Sequence, residues 1–169
     1  MLTGYTPCFR REAGSYGSDV RGLNRLHQFD KVEIVRIEEP SKSYEVLDEM
    51  VEHVKNLLLE LELPFRIVRL CGGDLGFTSA LTYDFEVYSM GQNKWLEVSS
   101  VSNFESFQSN RLNLKIDLGD KKKNYAHTLN GSSLALPRIV ACILENFQEK
   151  DHINIPEKLH KYTGFKQIK

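Results

Sequence analysis

The feature of this sequence that most constrains its fold is a pair of strand-like segments joined by a very short connection. Residues 82–90 and 94–102 contain several β-branched and aromatic side chains, and Gly91, Gln92 and Asn93 stand between them. Glycine and asparagine in so short a connection are typical of a β-hairpin, whose two strands pair antiparallel. The sequence therefore predicts an antiparallel sheet.

Several other segments have the residue types of strands. They are residues 4–10, 26–37, 65–70, 112–118 and 125–129. The first two flank the glycine-bearing stretch 13–22, which predicts a hairpin with a long loop. Lysines 121–123 stand in the turn between segments 112–118 and 125–129. They are either the solvated tip of a loop or residues that contact phosphate.

Two longer segments have the periodicity of helices. Apolar residues recur every three or four positions from Tyr44 to Leu61, which predicts a helix over 40–63 with Ser41 as its N-cap and Pro64 as its stop. Residues 132–149 follow the same period, and 151–169 are predicted as a tail. Because strands outnumber helices, the predicted class is α+β, with a mainly antiparallel sheet flanked by helices.

Composition limits the kinds of protein that this chain can be. Its 169 residues, 41% of them hydrophobic, are enough for one compact domain. The 22 basic and 23 acidic residues give a net charge of -1, so bulk electrostatics will not capture a nucleic acid. No apolar run reaches the roughly 18 residues of a membrane-spanning helix, and no signal peptide is recognisable. We expect a cytoplasmic protein without a membrane partner.

The cysteine pattern argues against disulfides and zinc. Cys8, Cys71 and Cys142 are odd in number and far apart in the sequence. Without metal-ligand spacing, they are expected to be reduced and mostly buried thiols, and no structural metal is expected.

Residues 25–35 indicate a functional surface, because alternate side chains of a strand share a face. The side chains on that face would be Arg25, His27, Phe29, Lys31 and Glu33, with Arg10 and Glu12 on the paired strand. Cations, an aromatic ring and carboxylates do not form a hydrophobic core. A solvated face with cross-strand ion pairs, each worth roughly 0.2 to 1 kcal/mol, fits the same pattern, so both interpretations stay open.

Residues 130–138 cross from a strand end into a helix and form a second cluster. The small residues Gly131 and Ser132 would let a ligand approach the backbone, and a helix N-terminus beside Arg138 favours an anion such as phosphate. The segment lacks both the P-loop and the dinucleotide-binding pattern. An ordinary helix start, with Pro137 in the first turn, remains the alternative.

Acidic residues of the predicted hairpin form a third cluster. Asp84 and Glu86 stand opposite the segment that carries Glu97. Carboxylates on adjacent strands can hold a Mg²⁺ ion that bridges nucleotide phosphates, whereas an edge hairpin with polar residues outward would have the same sequence. No common hydrolase motif is present.

These three clusters together resemble one family. Residues 6–15 (TPCFRREAGS) and 21–33 (RGLNRLHQFDKVE) resemble motif 2 of seryl-tRNA synthetases, and residues 128–148 resemble motif 3. Residues 83–86 (YDFE) and 97–104 (EVSSVSNF) lie between them in the family's order. The resemblance implies that residues 1–169 are the part of a class II aminoacyl-tRNA synthetase catalytic core that runs from motif 2 (near 6–33) through motif 3 (near 128–148).

The resemblance also implies an activity. Members of the family join serine and ATP to form seryl-adenylate with loss of pyrophosphate, and then transfer the seryl group to serine tRNA. The expected reaction is that of a serine–tRNA ligase, with ATP and Mg²⁺ as cofactors and with L-serine and serine tRNA as further partners. The parent enzyme is expected to be a homodimer.

Residue roles are likewise implied by the resemblance. Arg10 would hold the α-phosphate and Arg138 the γ-phosphate, which makes them the expected catalytic residues. Glu12 would meet the adenine amino group, and Phe29 would stack on the adenine ring. The full set expected to bind ATP is Arg10, Arg11, Glu12, Arg25, Leu26, Phe29, Glu97, Val98, Ser99, Ser100 and Arg138. The residues expected to place Mg²⁺ are Glu97 and Ser100, and those expected to bind serine are Glu33, Asn130 and Ser132.

The sequence departs from the family's pattern in places. Ser133 stands where a glycine is frequent, and Arg111 stands alone where two arginines are common. The family's N-terminal helical arm, its motif 1 and its Thr-Ala-Glu loop have no counterpart in these residues, so the chain alone is expected not to charge serine tRNA. The alternative is a shortened, non-catalytic paralogue that binds adenine nucleotide or a partner protein.

Overall fold

The computed structural model describes residues 1–12, 22–117, 119 and 123–169. Its strands are β1 (Leu2–Phe9), β2 (Gln28–Glu38), β3 (Phe65–Arg69), β4 (Leu81–Ser89), β5 (Lys94–Asn103), β6 (Lys115–Asp117), β7 (Lys123–Tyr125), β8 (His127–Ala135), β9 (Ile153–Asn154) and β10 (Gln167–Ile168). Its helices are α1 (Ser43–Glu60), α2 (Phe107–Leu112), α3 (Leu136–Asn146) and α4 (His160–Thr163), with 3₁₀ turns at Gly22–Asn24 and Glu157–Leu159.

In this described part of the chain, six strands form one sheet in the order β1-β2-β8-β5-β4-β3. Every neighbouring pair in that sheet is antiparallel. The hairpin of β4 and β5 has the predicted position, and Asn93 in its turn has a φ of 53°, a left-handed conformation that asparagine tolerates well. The predicted α+β class with a mainly antiparallel sheet is therefore confirmed.

The first helix differs from the prediction at its start. Helix α1 begins at Ser43, the residue before it is Lys42, and no side chain caps the helix, so the prediction of Ser41 as the N-cap is wrong. Tyr44 is 45% exposed and donates its hydroxyl hydrogen to Glu105 Oε1 at 2.7 Å. The buried stripe of the helix includes Val46 and Met50 instead.

The boundary between β8 and α3 also differs from the prediction. Residues 132–135 were expected to be helical, but they continue β8, and Lys31 of β2 pairs with Ala135. The helix begins at Leu136, because Pro137 fits the first helical turn and cannot supply the backbone N–H of a central strand. Ser132 therefore lies on the sheet and not at a helix N-terminus.

Two further segments contain elements that the sequence patterns did not indicate. Residue 112 ends helix α2, whose C-cap Asn113 has a φ of 51°, so a strand over 112–118 is wrong for its first residues. The tail at 151–169 contains the paired strands β9 and β10 and the short helix α4. Two of the lysines at 121–123 and nearly all of the loop at 13–22 lie outside the described residues.

One hydrophobic core joins the sheet to helices α1 and α3. Its fully buried side chains are Leu47, Val54, Leu58, Phe85, Val87, Val98, Val101, Leu129 and Cys142. Each large apolar side chain buried in this way contributes about 1.5 to 3 kcal/mol to folding. In the described residues, no helix is long and apolar enough to cross a bilayer.

The three cysteines are free thiols in different surroundings. Cys142 is in the core, where burial raises the pKa of its thiol to about 12. Cys8 is half-buried and Cys71 is exposed, so the expectation that the thiols are mostly buried is wrong for Cys71.

A buried polar cluster connects α1 to the ends of β5 and β8. Ser43 Oγ lies 2.8 Å from His127 Nδ1 and accepts a hydrogen bond from Asn103 Nδ2 at 3.1 Å. Burial lowers the pKa of His127, while the charge of Glu105 partly opposes that shift. The cluster therefore favours the neutral imidazole.

This cluster should make the free energy of unfolding depend on pH. Because the pKa of His127 is lower in the folded chain, the unfolded chain binds more protons just below the ordinary histidine pKa of about 6.5. We expect the contribution of His127 to be complete above that pH and to be lost as the pH falls below it. In urea unfolding between pH 5 and 8, the free energy of unfolding of His127→Asn should fall less on acidification than that of the unaltered chain. Parallel pH curves for the two would contradict this, and the exposed His53→Asn is the matched control.

Candidate functional site

A cleft of about 200 Å³ lies where the sheet meets the turn Gly22–Asn24 and the start of α3. The predicted site residues that line it are Arg10, Arg25, Leu26, Phe29, Glu97, Val98, Ser99, Ser100, Ser132 and Arg138. These residues come from four separate stretches of the sequence, at 10, 25–29, 97–100 and 132–138. The structure thus brings the three clusters of the sequence analysis together at one place.

Four predicted site residues are not among those that line the cleft. Arg11 is exposed, and Asn130 donates from Nδ2 to Gln108 Oε1 at 3.4 Å. The carboxylate of Glu12 accepts a hydrogen bond from Arg25 Nε. Glu33 lies beside the cleft, where Ser132 Oγ donates to its Oε2 at 3.4 Å.

The alternation expected over 25–35 holds for only part of that segment. Strand β2 begins at residue 28, so Arg25 and His27 precede it, and His27 does not line the cleft. Phe29 and Lys31 do line it. The register with β8 shifts between Lys31 and Glu33, yet Lys31 Nζ still lies 2.8 Å from Glu33 Oε2. An ion pair therefore links the two side chains along this face.

Arg138 is held in place by two backbone carbonyl groups. Its Nε donates to Asn24 O at 3.1 Å, and its Nη1 donates to Glu97 O. Burial lowers the pKa of its guanidinium, and the negative charge of Glu97 opposes that shift. An arginine stays protonated even so. The arrangement fixes a positive charge at the cleft wall.

Arg10 and Phe29 form a second cationic and aromatic pair. The guanidinium carbon of Arg10 lies 5.0 Å from the centroid of the Phe29 ring, within the range of a cation–π contact. Strand pairing aligns the two, because Cys8 faces Phe29 and the backbone N–H of Arg10 donates to His27 O at 2.8 Å. Both side chains line the cleft.

The acidic side of the cleft is formed by Glu97 and its neighbours. Desolvation by the surrounding protein raises the pKa of Glu97, Asp84 and Glu86 raise it further, and the nearby arginines oppose the shift. Burial also raises the pKa of Asp84, although a hydrogen bond with Ser100 counteracts it. Within the described residues, Asp84 Oδ1 is buried and has no hydrogen-bond partner. Glu97 therefore places a carboxylate in the cleft that a cation would stabilise, while Asp84 is not among the residues that line the cleft.

Oxygen donors of this kind suit Mg²⁺, which prefers carboxylate and water oxygens and keeps several waters. Glu97 and Ser100 both line the cleft and could supply two such oxygens. In residues 1–12, 22–117, 119 and 123–169, no three His, Cys, Asp or Glu side chains come together as a metal site. The remaining ligands of a Mg²⁺ ion would have to come from phosphate and water.

Sequence patterns missed two residues that line the cleft, Leu23 and Asn24. Ala135 and Pro137 also line it, and they belong to the cluster predicted over 130–138. Leu23 and Asn24 lie in a 3₁₀ turn before β2, where the two-residue alternation of a strand does not apply. The only signal for them was their place inside the motif 2-like run at 21–33.

Gly131 sits beneath the cleft in the middle of the sheet. A methyl group at this position would come within 2.8 Å of Val101 Cγ2 and 3.0 Å of Ser100 O. The contact with Ser100 O involves the backbone, and moving the backbone aside costs free energy. Glycine is thus required by close strand packing at this point.

We expect Gly131→Ala to lower the free energy of unfolding by about 1 to 3 kcal/mol, the usual cost of overpacking a core. It should also displace Ser100 in the cleft. Urea unfolding of the variant, with the half-buried Ser133→Ala as control, would measure the loss. A Gly131→Ala chain as stable as the unaltered one would show that the strands can separate freely here.

Curated relatives with high sequence identity are serine–tRNA ligases. The chain is 59% identical over 166 residues to the serine–tRNA ligase of Salinibacter ruber, covering 97% of this chain and 39% of the relative. It is 54% identical over 164 residues to that of Finegoldia magna, covering 96% of this chain and 39% of the relative. The chain thus spans about two fifths of the length of these relatives.

Solved structures of seryl-tRNA synthetases also superpose on this chain. Seryl-tRNA synthetase from Pyrococcus horikoshii complexed with ATP superposes with a TM-score of 0.94 at 45% identity, covering 98% of this chain and 38% of that one. Cytoplasmic serine–tRNA ligase from Naegleria fowleri in complex with AMP superposes with a TM-score of 0.93 at 34% identity, covering 99% and 42%. The family profile described as tRNA synthetase class II core domain (G, H, P, S and T) matches residues 1–147, and the chain therefore belongs to that family.

Proposed function

We propose that this chain supplies the ATP- and serine-binding part of a serine–tRNA ligase catalytic domain, from motif 2 through motif 3. The observation that carries the proposal is the convergence of Arg10, Phe29, Glu97 and Arg138 on one cleft. The names of the relatives support the reaction, and the solved relatives with ATP or AMP support the use of an adenine nucleotide.

In the first step, a carboxylate oxygen of serine attacks the α-phosphate of ATP. The bond from that phosphorus to the bridging oxygen breaks, and pyrophosphate leaves with the electron pair. Both reactants are anions, so the main task of the protein is to neutralise and align them. Arg10 would hold the α-phosphate and Arg138 the γ-phosphate. The two carbonyl contacts of Arg138 support this role because they hold the guanidinium in position before ATP arrives.

Adenine recognition would fall to the motif 2-like stretch. Phe29 would stack on the ring of the base, and Glu12 would accept a hydrogen bond from its amino group. The contact between Arg25 Nε and the carboxylate of Glu12 would orient that acceptor. The further residues of this proposed ATP set are Arg11, Leu26, Val98, Ser99 and Ser100.

Glu97 and Ser100 are the residues proposed to hold Mg²⁺ on the phosphates. The ion would withdraw charge from the phosphate oxygens and fix their geometry. The position of Glu97 in the cleft and its raised pKa support a cation at this side of the cleft.

Glu33, Asn130 and Ser132 are proposed to receive serine. The carboxylate of Glu33 is partnered by Lys31 Nζ at 2.8 Å and by Ser132 Oγ at 3.4 Å. A site that pairs its polar groups with the substrate hydroxyl discriminates against alanine, because alanine would leave those groups unpaired.

The later steps involve partners that are inferred from the relatives. Transfer of the seryl group needs serine tRNA, which we propose is bound mainly through parts of the parent enzyme other than these 169 residues. The parent enzyme is proposed to be a homodimer. Its cytoplasmic location remains a prediction.

The test of the proposed function is the binding of ATP at Phe29. Base stacking on an aromatic ring is worth roughly 1 to 3 kcal/mol, so Phe29→Ala should weaken ATP binding by about fivefold to 150-fold. Phe29→Tyr keeps the ring face and should bind within about threefold of the unaltered chain.

Calorimetric titration of the chain and its variants with ATP and Mg²⁺ measures these affinities. The matched control is Phe165→Ala, because Phe165 is 47% exposed and does not line the cleft. Equal affinities for the Ala and Tyr variants would show that Phe29 only packs against its neighbours. A chain that binds no ATP at millimolar concentration would contradict the proposed nucleotide site.

A further inference from the structure

A hydrogen-bonded network lies behind the Arg138 side of the cleft and joins three elements. Gln92, in the turn between β4 and β5, exchanges two hydrogen bonds with Asn24 in the 3₁₀ turn. Asn24 Nδ2 donates to Gln92 Oε1 at 2.6 Å, and Gln92 Nε2 donates to Asn24 Oδ1 at 3.3 Å. Both amide groups are partly buried there. Such a reciprocal pair fixes the orientation of both side chains.

The same glutamine is anchored to helix α3. Gln92 Nε2 also donates to Glu145 Oε1 at 3.0 Å, and the other carboxylate oxygen of Glu145 accepts a hydrogen bond from Ser89 Oγ. Ser89 is fully buried, and its Oγ accepts from the backbone N–H of Gln92 at 3.1 Å. The hairpin turn is thereby clamped to the helix that carries Arg138.

The backbone at Gly91 is shaped for this clamp. A methyl group on Gly91 would come within 3.1 Å of Glu145 Cδ and 3.2 Å of its Cγ. These contacts are tighter than most, so a larger residue would push Glu145 away from Gln92. The glycine of the hairpin thus allows the close approach of the carboxylate.

The network ends on a group that contacts Arg138 directly. The carbonyl oxygen of Asn24 accepts the hydrogen bond from Arg138 Nε at 3.1 Å. The position of that carbonyl depends on the turn at residues 22–24, and the turn is tied down through the side chain of Asn24. Gln92 lies outside the set of residues that line the cleft, so any effect on a ligand must pass through its partners Asn24 and Glu145, and of these Asn24 contacts Arg138 directly.

We propose that Gln92 is a positioning residue, which holds the Asn24 carbonyl and through it orients the guanidinium of Arg138 toward the nucleotide. The consequence for ATP rests on the proposed function, whereas the effect on Arg138 itself does not. Two substitutions remove the contact from opposite sides. Gln92→Met keeps the length of the side chain without its amide, and Asn24→Leu removes the other amide but retains the carbonyl.

The first measurement is the exchange of the Arg138 Nε–H with solvent, followed by NMR on the 169-residue chain without ligand. The signal is identified by its disappearance in Arg138→Lys. A loosened hydrogen bond exposes this proton, so we expect roughly tenfold faster exchange in Gln92→Met and Asn24→Leu. The control is Gln167→Met, an exposed glutamine of β10, which should leave the rate unchanged. Unchanged exchange in both test variants would overturn the proposal, and two separate variants guard against one that fails to fold.

The second measurement is ATP affinity in a double-mutant cycle. Gln92→Met should weaken ATP binding by roughly fivefold in the unaltered chain but not in Arg138→Lys, because the positioned group is then absent. An equal loss in both backgrounds would indicate a general structural role and would overturn the proposal. If the NMR effect is present but even the unaltered chain binds no ATP, the positioning of Arg138 stands and the proposed function fails.

Discussion

Replacing Arg138 with alanine is expected to slow serine-dependent ATP–pyrophosphate exchange by about 30- to 1,000-fold, which corresponds to a loss of about 2 to 4 kcal/mol of transition-state stabilisation. The guanidinium is held by two backbone carbonyls before the substrate binds. The positive charge is therefore already in place, and the protein needs little reorganisation when the phosphates rearrange. Arg10→Ala should slow the exchange by a similar factor, since Arg10 is the other arginine of the cleft proposed to meet the phosphates.

The assay needs a protein that contains all parts of a synthetase. A suitable one is a chimera in which this chain replaces the matching segment of one of its serine–tRNA ligase relatives. The control is Arg111→Ala, because Arg111 is exposed on α2 and its guanidinium donates to Phe107 O at 3.0 Å. Exchange rates within threefold of the unaltered chimera for both cleft variants would refute the assigned phosphate contacts.

Arg138→Lys separates charge from geometry. Lysine keeps the positive charge, but its single ammonium group cannot contact two separated carbonyls and a phosphate in the planar arrangement of a guanidinium. We therefore expect lysine to recover only a small part of the lost rate.

The sheet was more predictable than its boundaries with helices. The hairpin of β4 and β5 was evident because its turn residues and its strand pattern are local features. The end of β8 was not, because the two serines, the leucine and the alanine at 132–135 fit either a strand or a helix. These residues form a strand because Ala135 pairs with Lys31, a residue distant in the sequence. Helix α2 was missed because it has only 6 residues and no apolar period.

The candidate site was predictable where the resemblance supplied complete motifs. Arg10, Phe29, Glu97 and Arg138 line one cleft although up to 128 positions separate them, from 10 to 138. The contacts that hold them were not predictable in the same way. The carbonyl of Asn24 and the amide of Gln92 depend on the path of the backbone, which no residue type reveals. Such positioning contacts appear only once the fold is known.

The 169 residues tested alone are expected to bind nucleotide weakly and to charge serine tRNA at least a hundredfold more slowly than the chimera. The reason lies in alignment: serine must be held against the α-phosphate, and a misplacement of about 1 Å can cost roughly a hundredfold in rate. On the serine side, this chain supplies the proposed residues Glu33, Asn130 and Ser132, and the Glu33 carboxylate is already paired with Lys31 and Ser132. A net charge of -1 gives the tRNA little electrostatic attraction. Aminoacylation of serine tRNA by the chain and by the chimera, at equal micromolar concentration, decides the matter. Turnover of the chain within tenfold of the chimera would show that these 169 residues align serine and tRNA by themselves.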